Sequence, residues 1–311
     1  MSDTDIKRGT MKVFVTGASG WIGTAVVAEL QRTGHEVLGL ARSEASATRL
    51  LAAGALVHRG DLADPEGLAA AAATCDGVIH LAFIHDFEHF DAAVQVDARA
   101  VDALGAALAG STKPLVIASG TPAVPGRVAT ERDDLTGGLA GARGAVARAT
   151  VARATVALAD RGVRSSVVRL PRTVHGRGDL GFVARLIDIA RATGVSGYVG
   201  DGSSRWPAVH VLDAARLFRL ALEHAPAGAV LHAVADEDVA TRDIAETIGR
   251  RLAVPTTSVP VEQFGFLGAI LAVDQPASSE ATRELMDWNP TEPRLLEDLS
   301  EDYYYTSTPL S

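Results

Sequence analysis

The chain has 311 residues, a net charge of −9 and 47% hydrophobic residues, with aromatics making up only 5%. This acidity argues against nonspecific binding to nucleic acid or an anionic membrane. The single cysteine, Cys75, excludes an intramolecular disulfide and any multi-cysteine metal site. No apolar run is long enough to span a bilayer and the first ten residues carry no leader-like apolar stretch, so a cytoplasmic protein of one large domain, or two interleaved ones, is expected.

Met11 to Thr16 is a short run rich in β-branched residues, as in a strand buried on both faces. Glycines follow at Gly17, Gly20 and Gly23, and a helical pattern runs from Trp21 to about Thr33. Strand, glycine turn and helix form the setting of a dinucleotide fingerprint. Gly17 makes the tight turn, Gly20 lets backbone approach a pyrophosphate, and Gly23 lets the helix lie close on the strand. The N–H groups and positive dipole end of the helix then face the phosphates; a glycine-rich turn without ligand is the plainer alternative.

Glu36 to Leu40 reads as a second strand, ending in Ala41-Arg42-Ser43. An NAD site usually places Asp or Glu here for the ribose 2′-hydroxyl. Arg42 and Ser43 instead offer a cation and a hydroxyl donor suited to a 2′-phosphate, so NADP is expected over NAD. A helix from Ser43, its cap, to Ala53 and a strand from Ala55 to His58 lead into Gly60-Asp61-Leu62, where Asp61 also suits a turn before Pro65. Gly77 to His80 is a fourth strand. His80 stands at its carboxyl end as a ligand or acid–base candidate, or as a packed structural residue. His85, Asp86, Glu88, His89 and Asp91 read as the polar face of a helix reaching Ala109 rather than as a metal cluster, and no metal is expected.

Pro114 to Ala118 is a fifth strand, ending in Ser119-Gly120-Thr121. A helix from about Leu139 to Asp160 contains Val-Ala-Arg-Ala-Thr twice, at Val146 and Val151. Its small residues suit either close approach by a helix of a second subunit, as in a homodimer, or packing on its own sheet. Val163 to Leu170 is the sixth strand. Beyond it come a helix from Phe182 to Thr193, a strand from Gly197 to Val199, and a return segment through Arg205, Trp206 and Asp213, the last expected to cap the next helix. Thr241 to Leu252 and Ser279 to Leu285 are further helices, Phe264 to Val273 is an apolar run that lines a pocket or meets another subunit, and Tyr303 to Tyr305 read as a peripheral tail.

Strands and helices alternate at intervals that imply an α/β fold. A Rossmann-type doubly wound parallel sheet is expected over 11–175 and 205–235, with a smaller α/β substrate lobe over 176–204 and 236–300.

The Gly-x-x-Gly-x-x-Gly spacing within Thr16-Gly-Ala-Ser-Gly-Trp-Ile-Gly23 resembles the short-chain dehydrogenase/reductase superfamily, in its extended and atypical branch of NAD(P)-dependent epimerase/dehydratase-like proteins. The resemblance runs from about Met11 to Trp288. It implies that Ser19, Trp21 and Ile22 join the glycines at the cofactor, and that Asp61 and Leu62 hold the adenine. It also implies that Leu81, Ala82 and Phe83 pass the ribose and nicotinamide, and that Ser119 hydrogen-bonds the reacting group. Arg169-Leu-Pro-Arg-Thr-Val-His-Gly176 resembles the family's Arg-x-Pro-x-x-Val-Tyr-Gly. Pro171 and Val174 then border the nicotinamide, and His175, in place of tyrosine, becomes a proton-transfer candidate. The family's Tyr-x-x-x-Lys pair is missing: its places fall near Gly144 and Arg148. Arg148 suits a ribose hydroxyl but not general-base work. The resemblance therefore implies an NADP-dependent oxidoreductase or epimerase-like enzyme acting on a small polar carbonyl or alcohol, with Ser119, Arg148 and His175 as catalytic candidates. The alternative is a non-catalytic NADP-binding sensor.

Overall fold

A computed structural model describes residues 9–84, 89–133 and 143–306, without the side chains of 143–147. The first strand, β1 (Lys12–Thr16), is organised by its own alternation. Val13 and Val15 face one apolar layer and Phe14 the opposite one, all three with no exposed surface. The chain then alternates through α1 (Trp21–Arg32), β2 (Glu36–Ala41), α2 (Glu44–Ala52), β3 (Leu56–Arg59), α3 (Pro65–Ala73), β4 (Gly77–His80), α4 (Phe90–Leu108), β5 (Pro114–Gly120), α5 (Arg143–Ala157) and β6 (Arg164–Leu170). After β7 (Thr173–His175), α6 (Phe182–Thr193) and β8 (Ser196–Tyr198), it returns through β9 (Arg205–His210), α7 (Val211–His224) and β10 (Ala229–His232).

Among the described residues, seven parallel strands form one sheet in the order β10-β6-β5-β4-β1-β2-β3. The order reverses between β1 and β4, which opens a crevice at the strands' carboxyl ends. Helices α1 and α7 cover one face, while α3, α4 and α5 cover the other. This is the Rossmann-type doubly wound sheet expected.

The remaining elements are β11 (Asp236–Ala240), α8 (Thr241–Leu252), β12 (Thr256–Ser258), α9 (Phe266–Leu271), α10 (Glu280–Met286), α11 (Leu295–Asp298) and α12 (Tyr303–Thr306). With α6 and β9 they build a third apolar cluster around Trp206, Val183, Ile244 and Leu267, beside a three-stranded sheet β11-β9-β7 and a β12-β8 pair. Among the described residues, no helix is long and apolar enough to cross a membrane.

Two expectations are corrected. Asp213 does not cap α7: the His210 ring takes that place, accepting from the Leu212 amide at 3.3 Å. The Asp213 carboxylate is fully buried and instead accepts from the amides of Thr291 and Glu292, each at 3.0 Å. Nor is the Tyr303–Tyr305 stretch peripheral. The Tyr304 hydroxyl donates to Asp298 at 2.9 Å and accepts from the Gly176 amide at 2.9 Å. Burying an aromatic ring while satisfying its hydroxyl favours this docking. His85, Asp86, Glu88 and the expected helix start near Leu139 lie outside the described residues.

Candidate active site

The glycine turn supplies the cradle. A Cβ on Gly23 would stand 2.0 Å from the Gly17 carbonyl oxygen, so only glycine lets α1 approach β1 this closely. Gly17, at φ +68°, sits 2.7 Å (by the same measure) from the Ala82 amide nitrogen, where β1 and β4 meet. Gly20 is exposed, and a Cβ there would meet only the Gly17 oxygen, at 3.2 Å. It is also the N-cap of α1, with no side-chain cap and no acid in the first turn, so the amides of Trp21 and Ile22 face the crevice mouth unopposed. The Trp21 indole donates to the Arg177 carbonyl at 3.3 Å, tying this turn to the loop after β7.

At the end of β2, Arg42 is exposed and makes no ion pair among the described residues, whereas neighbouring Glu44 is held by Arg59 at 2.7 Å. Ser43 caps α2 in a capping box with Ser46. Asp61 accepts from the Ala63 amide at 2.8 Å and so makes the turn, while Asp64 caps α3; Leu62 is buried in the core.

His80 is a structural residue. The Thr16 hydroxyl, which accepts from the Ala82 amide at 3.2 Å, lies 2.8 Å from Nδ1 of His80, and Nε2 lies 3.0 Å from Asp97. The Asp97 carboxylate only accepts, so Nε2–H donates to it, and with that tautomer Nδ1 accepts from the Thr16 hydroxyl. The relay ties the carboxyl ends of β1 and β4 to α4.

Ser119 lies one residue from the end of β5, only 6% exposed, and its hydroxyl has no hydrogen-bond partner among the described residues. A buried hydroxyl left without partner costs free energy and marks a place for a ligand group. Arg148 donates to the Ala118 carbonyl at 3.1 Å, and its guanidinium stacks on Phe83, 4.2 Å from the ring centre. Burial lowers its pKa, countered by the Asp97 charge. Ile22, Leu81 and Val174 pack on one apolar cluster, Ala82 and Phe83 on the other, and Pro171 is buried beside them in sequence. Gly144 stands in the first turn of α5, one helical turn before Arg148.

His175 is enclosed in the fold. Its ring has no exposed surface, and Nδ1 lies 2.7 Å from Asp298, which also accepts from Tyr303 and Tyr304. Burial pushes the Asp298 carboxyl up, but these donors together outweigh it and leave the pKa lowered. Nε2 of the same ring is buried and has no hydrogen-bond partner among the described residues. Two further residues at the crevice escaped the sequence reading, Arg172 and Gln275. Gln275 donates to the Thr121 carbonyl at 2.6 Å, and its own oxygen has no hydrogen-bond partner among the described residues.

The turn, the order reversal and the open cradle define a dinucleotide-binding α/β protein. A family model described as "NAD dependent epimerase/dehydratase family" matches residues 13–234, and the chain belongs to that family. An uncharacterised protein of Schizosaccharomyces pombe is 44% identical over 301 residues, 95% of this chain and 100% of that one. The 2-alkyl-3-oxoalkanoate reductase of Stenotrophomonas maltophilia is 30% identical over 70% of this chain and 67% of its own length. Among solved structures, MoeE5 in complex with UDP-glucose and NAD superposes with a TM-score of 0.76 at 23% identity, covering 95% of this chain and 98% of that one.

Proposed function

We propose that the chain is an NADP-dependent oxidoreductase that interconverts a small carbonyl compound and its alcohol. The observation that carries this reading is the buried, unpartnered Ser119 hydroxyl at the carboxyl end of β5, one residue from the carbonyl held by Arg148. The reductase named among the relatives supports carbonyl chemistry over epimerisation. Gly17, Ser19, Gly20, Trp21, Ile22 and Gly23 would hold the pyrophosphate, Arg42 and Ser43 the 2′-phosphate, and Asp61 and Leu62 the adenine. Leu81, Ala82, Phe83, Pro171 and Val174 would wall the nicotinamide, and Arg148 would donate to its ribose. The bound nicotinamide would supply or accept hydride. Ser119 would donate to the substrate oxygen and pass on a proton drawn from water, because Arg148 stays cationic. His175 would position β7 through Asp298 rather than transfer the proton.

The test is nicotinamide absorbance across a panel of aldehydes, ketones and sugar nucleotides. Ser119→Ala should lower kcat by about 10²–10⁴, with NADPH affinity retained. A second reading, an NADP-binding sensor without turnover, is favoured by glycine at position 144, where the family's tyrosine falls. Tight NADPH binding with no turnover on any panel member would select it.

A further inference from the structure

The loop 176–181 joins β7 to α6 and runs from the Val174 side of the crevice to the glycine turn. It is a preformed unit. The Asp179 amide donates to the Gly176 carbonyl at 3.0 Å, and the Asp179 carboxyl accepts from the Gly181 amide at 2.6 Å. Its middle lies on Trp21, the first residue of α1. The Trp21 indole donates to the Arg177 carbonyl, and a Cβ on Gly178 would stand 3.6 Å from the indole nitrogen, an ordinary contact.

The root of the loop is held from the other end of the chain. The buried Gly176 amide donates to the Tyr304 hydroxyl at 2.9 Å, and that hydroxyl donates to Asp298. The Arg177 guanidinium lies over the Tyr303 ring, 4.4 Å from its centre. Helix α12 is in turn fixed by Arg191, which donates to the Tyr304 carbonyl at 3.0 Å, and by the Tyr305 hydroxyl, which donates to the Leu299 carbonyl at 2.9 Å. Without the Tyr304 hydroxyl, Gly176 becomes a buried donor lacking an acceptor, a cost relieved when the loop swings out to water.

We infer that Tyr304 is a positioning residue for the cofactor: through Gly176 it holds the loop as a strap against Trp21, over the pyrophosphate cradle. The inference rests on NADP binding at the glycine turn and adds what governs its release. Because the loop is one preformed turn, displacement at Gly176 is carried to the Arg177 carbonyl that Trp21 holds.

Two measurements on the full chain test it. The first is hydrogen exchange of the tryptophan indoles in the cofactor-free protein, followed by NMR. Tyr304→Phe should speed exchange at Trp21 about five- to a hundredfold and leave the buried indoles of Trp206 and Trp288 at wild-type rates. The second is NADPH dissociation by stopped-flow fluorescence, which should quicken over the same range. Tyr305→Phe removes a hydroxyl bond from the same helix but not from the loop, so it should lower the melting temperature and leave both rates unchanged. Arg177→Ala, at an exposed position, should speed Trp21 exchange about two- to fivefold, and no change there overturns the inference even where Tyr304→Phe does not fold. Wild-type exchange at Trp21 as fast as in free tryptophan overturns it too. So do unchanged rates in a folded Tyr304→Phe protein, or equal acceleration by Tyr305→Phe, which would leave α12 a structural element only. A wild type that binds no NADPH sinks this inference and the cofactor reading together. NADPH release governed by Tyr304, with no turnover on any substrate, sinks the oxidoreductase reading and leaves this one standing.

Discussion

The last two glycines of the turn predict separable defects. A Cβ at Gly23 would meet the Gly17 oxygen at 2.0 Å, its carbonyl carbon at 2.8 Å and the Ala18 Cα at 2.9 Å, all backbone atoms of the same turn. Bringing the first contact to about 3.0 Å, the floor for real contacts, requires α1 to lift from β1 by roughly 1 Å. Because Val26, Val27 and Leu30 of α1 are fully packed beneath, that lift opens space in the core, and overpacking of this kind costs about 1–3 kcal/mol or more. Gly23→Ala should therefore lose both thermal stability and NADPH binding. Gly20→Ala meets one atom at 3.2 Å, at a φ of −77° that alanine adopts freely. Its stability should change by no more than about 1 kcal/mol, yet its methyl stands where a pyrophosphate must approach, and NADPH affinity should fall at least tenfold. Thermal melts with NADPH fluorescence titration separate the two. A Gly20→Ala protein with wild-type affinity refutes the pyrophosphate placement, and an unshifted melt for Gly23→Ala refutes the close-approach argument.

Arg42→Ala should erase most of the preference for NADP over NAD. A charge-assisted phosphate contact is worth about 1.5–3 kcal/mol, and equal affinities for the two cofactors in wild type would reject the premise. Asp179 is raised to about 6 by burial, so the folded protein holds a proton that the unfolded chain releases between about pH 4 and 6. This group therefore lowers stability as pH rises through that window, by at most about 3 kcal/mol. Asp179→Asn should match wild type below about pH 4 and exceed it above pH 6, and parallel stability curves would contradict the assignment. Gly144→Tyr with Arg148→Lys should gain carbonyl reduction while holding NADPH; a folded, cofactor-binding double variant without gain would show that the helix register is misplaced.

The sheet was legible because its strands are self-describing: Val13-Phe14-Val15 and Gly77-Val78-Ile79 are apolar runs next to glycine turns and capped helices. Beyond the sixth strand, Gly197 to Val199 was read to within a residue of β8, but β10 and β11 hid for physical reasons. β10 is four residues long, and β11, Asp-Glu-Asp-Val-Ala, is an edge strand whose Asp236 and Glu237 are held by Leu295 and Ser278, so neither has a readable period. Asp213 has the local signature of a cap, but its carboxylate serves amides 78 and 79 residues away, a demand no local pattern carries. At the site, Ser119 and Arg148 were singled out only by the family resemblance, through the serine after the fifth strand and the place of the missing Tyr-x-x-x-Lys pair. Arg172 gave no signal, because an arginine after a proline looks like a solvated loop cation until Trp206 and α9 fold over it.

The docking of the last helix also sets a timetable for synthesis. The Gly176 amide is held by a hydroxyl 128 residues later, and the His175 ring by a carboxylate 123 residues later. At about 5–20 residues per second, a nascent chain carries β7 for roughly 6–25 s before Tyr304 emerges to hold it. For the first part of that interval, until Ala229–His232 has been made, the sheet also lacks β10, leaving the hydrogen-bonding edge of β6 open, the kind of edge that recruits foreign strands. A ribosome stalled a few codons short of Tyr304 would release a chain with every sheet strand and no latch on its crevice wall.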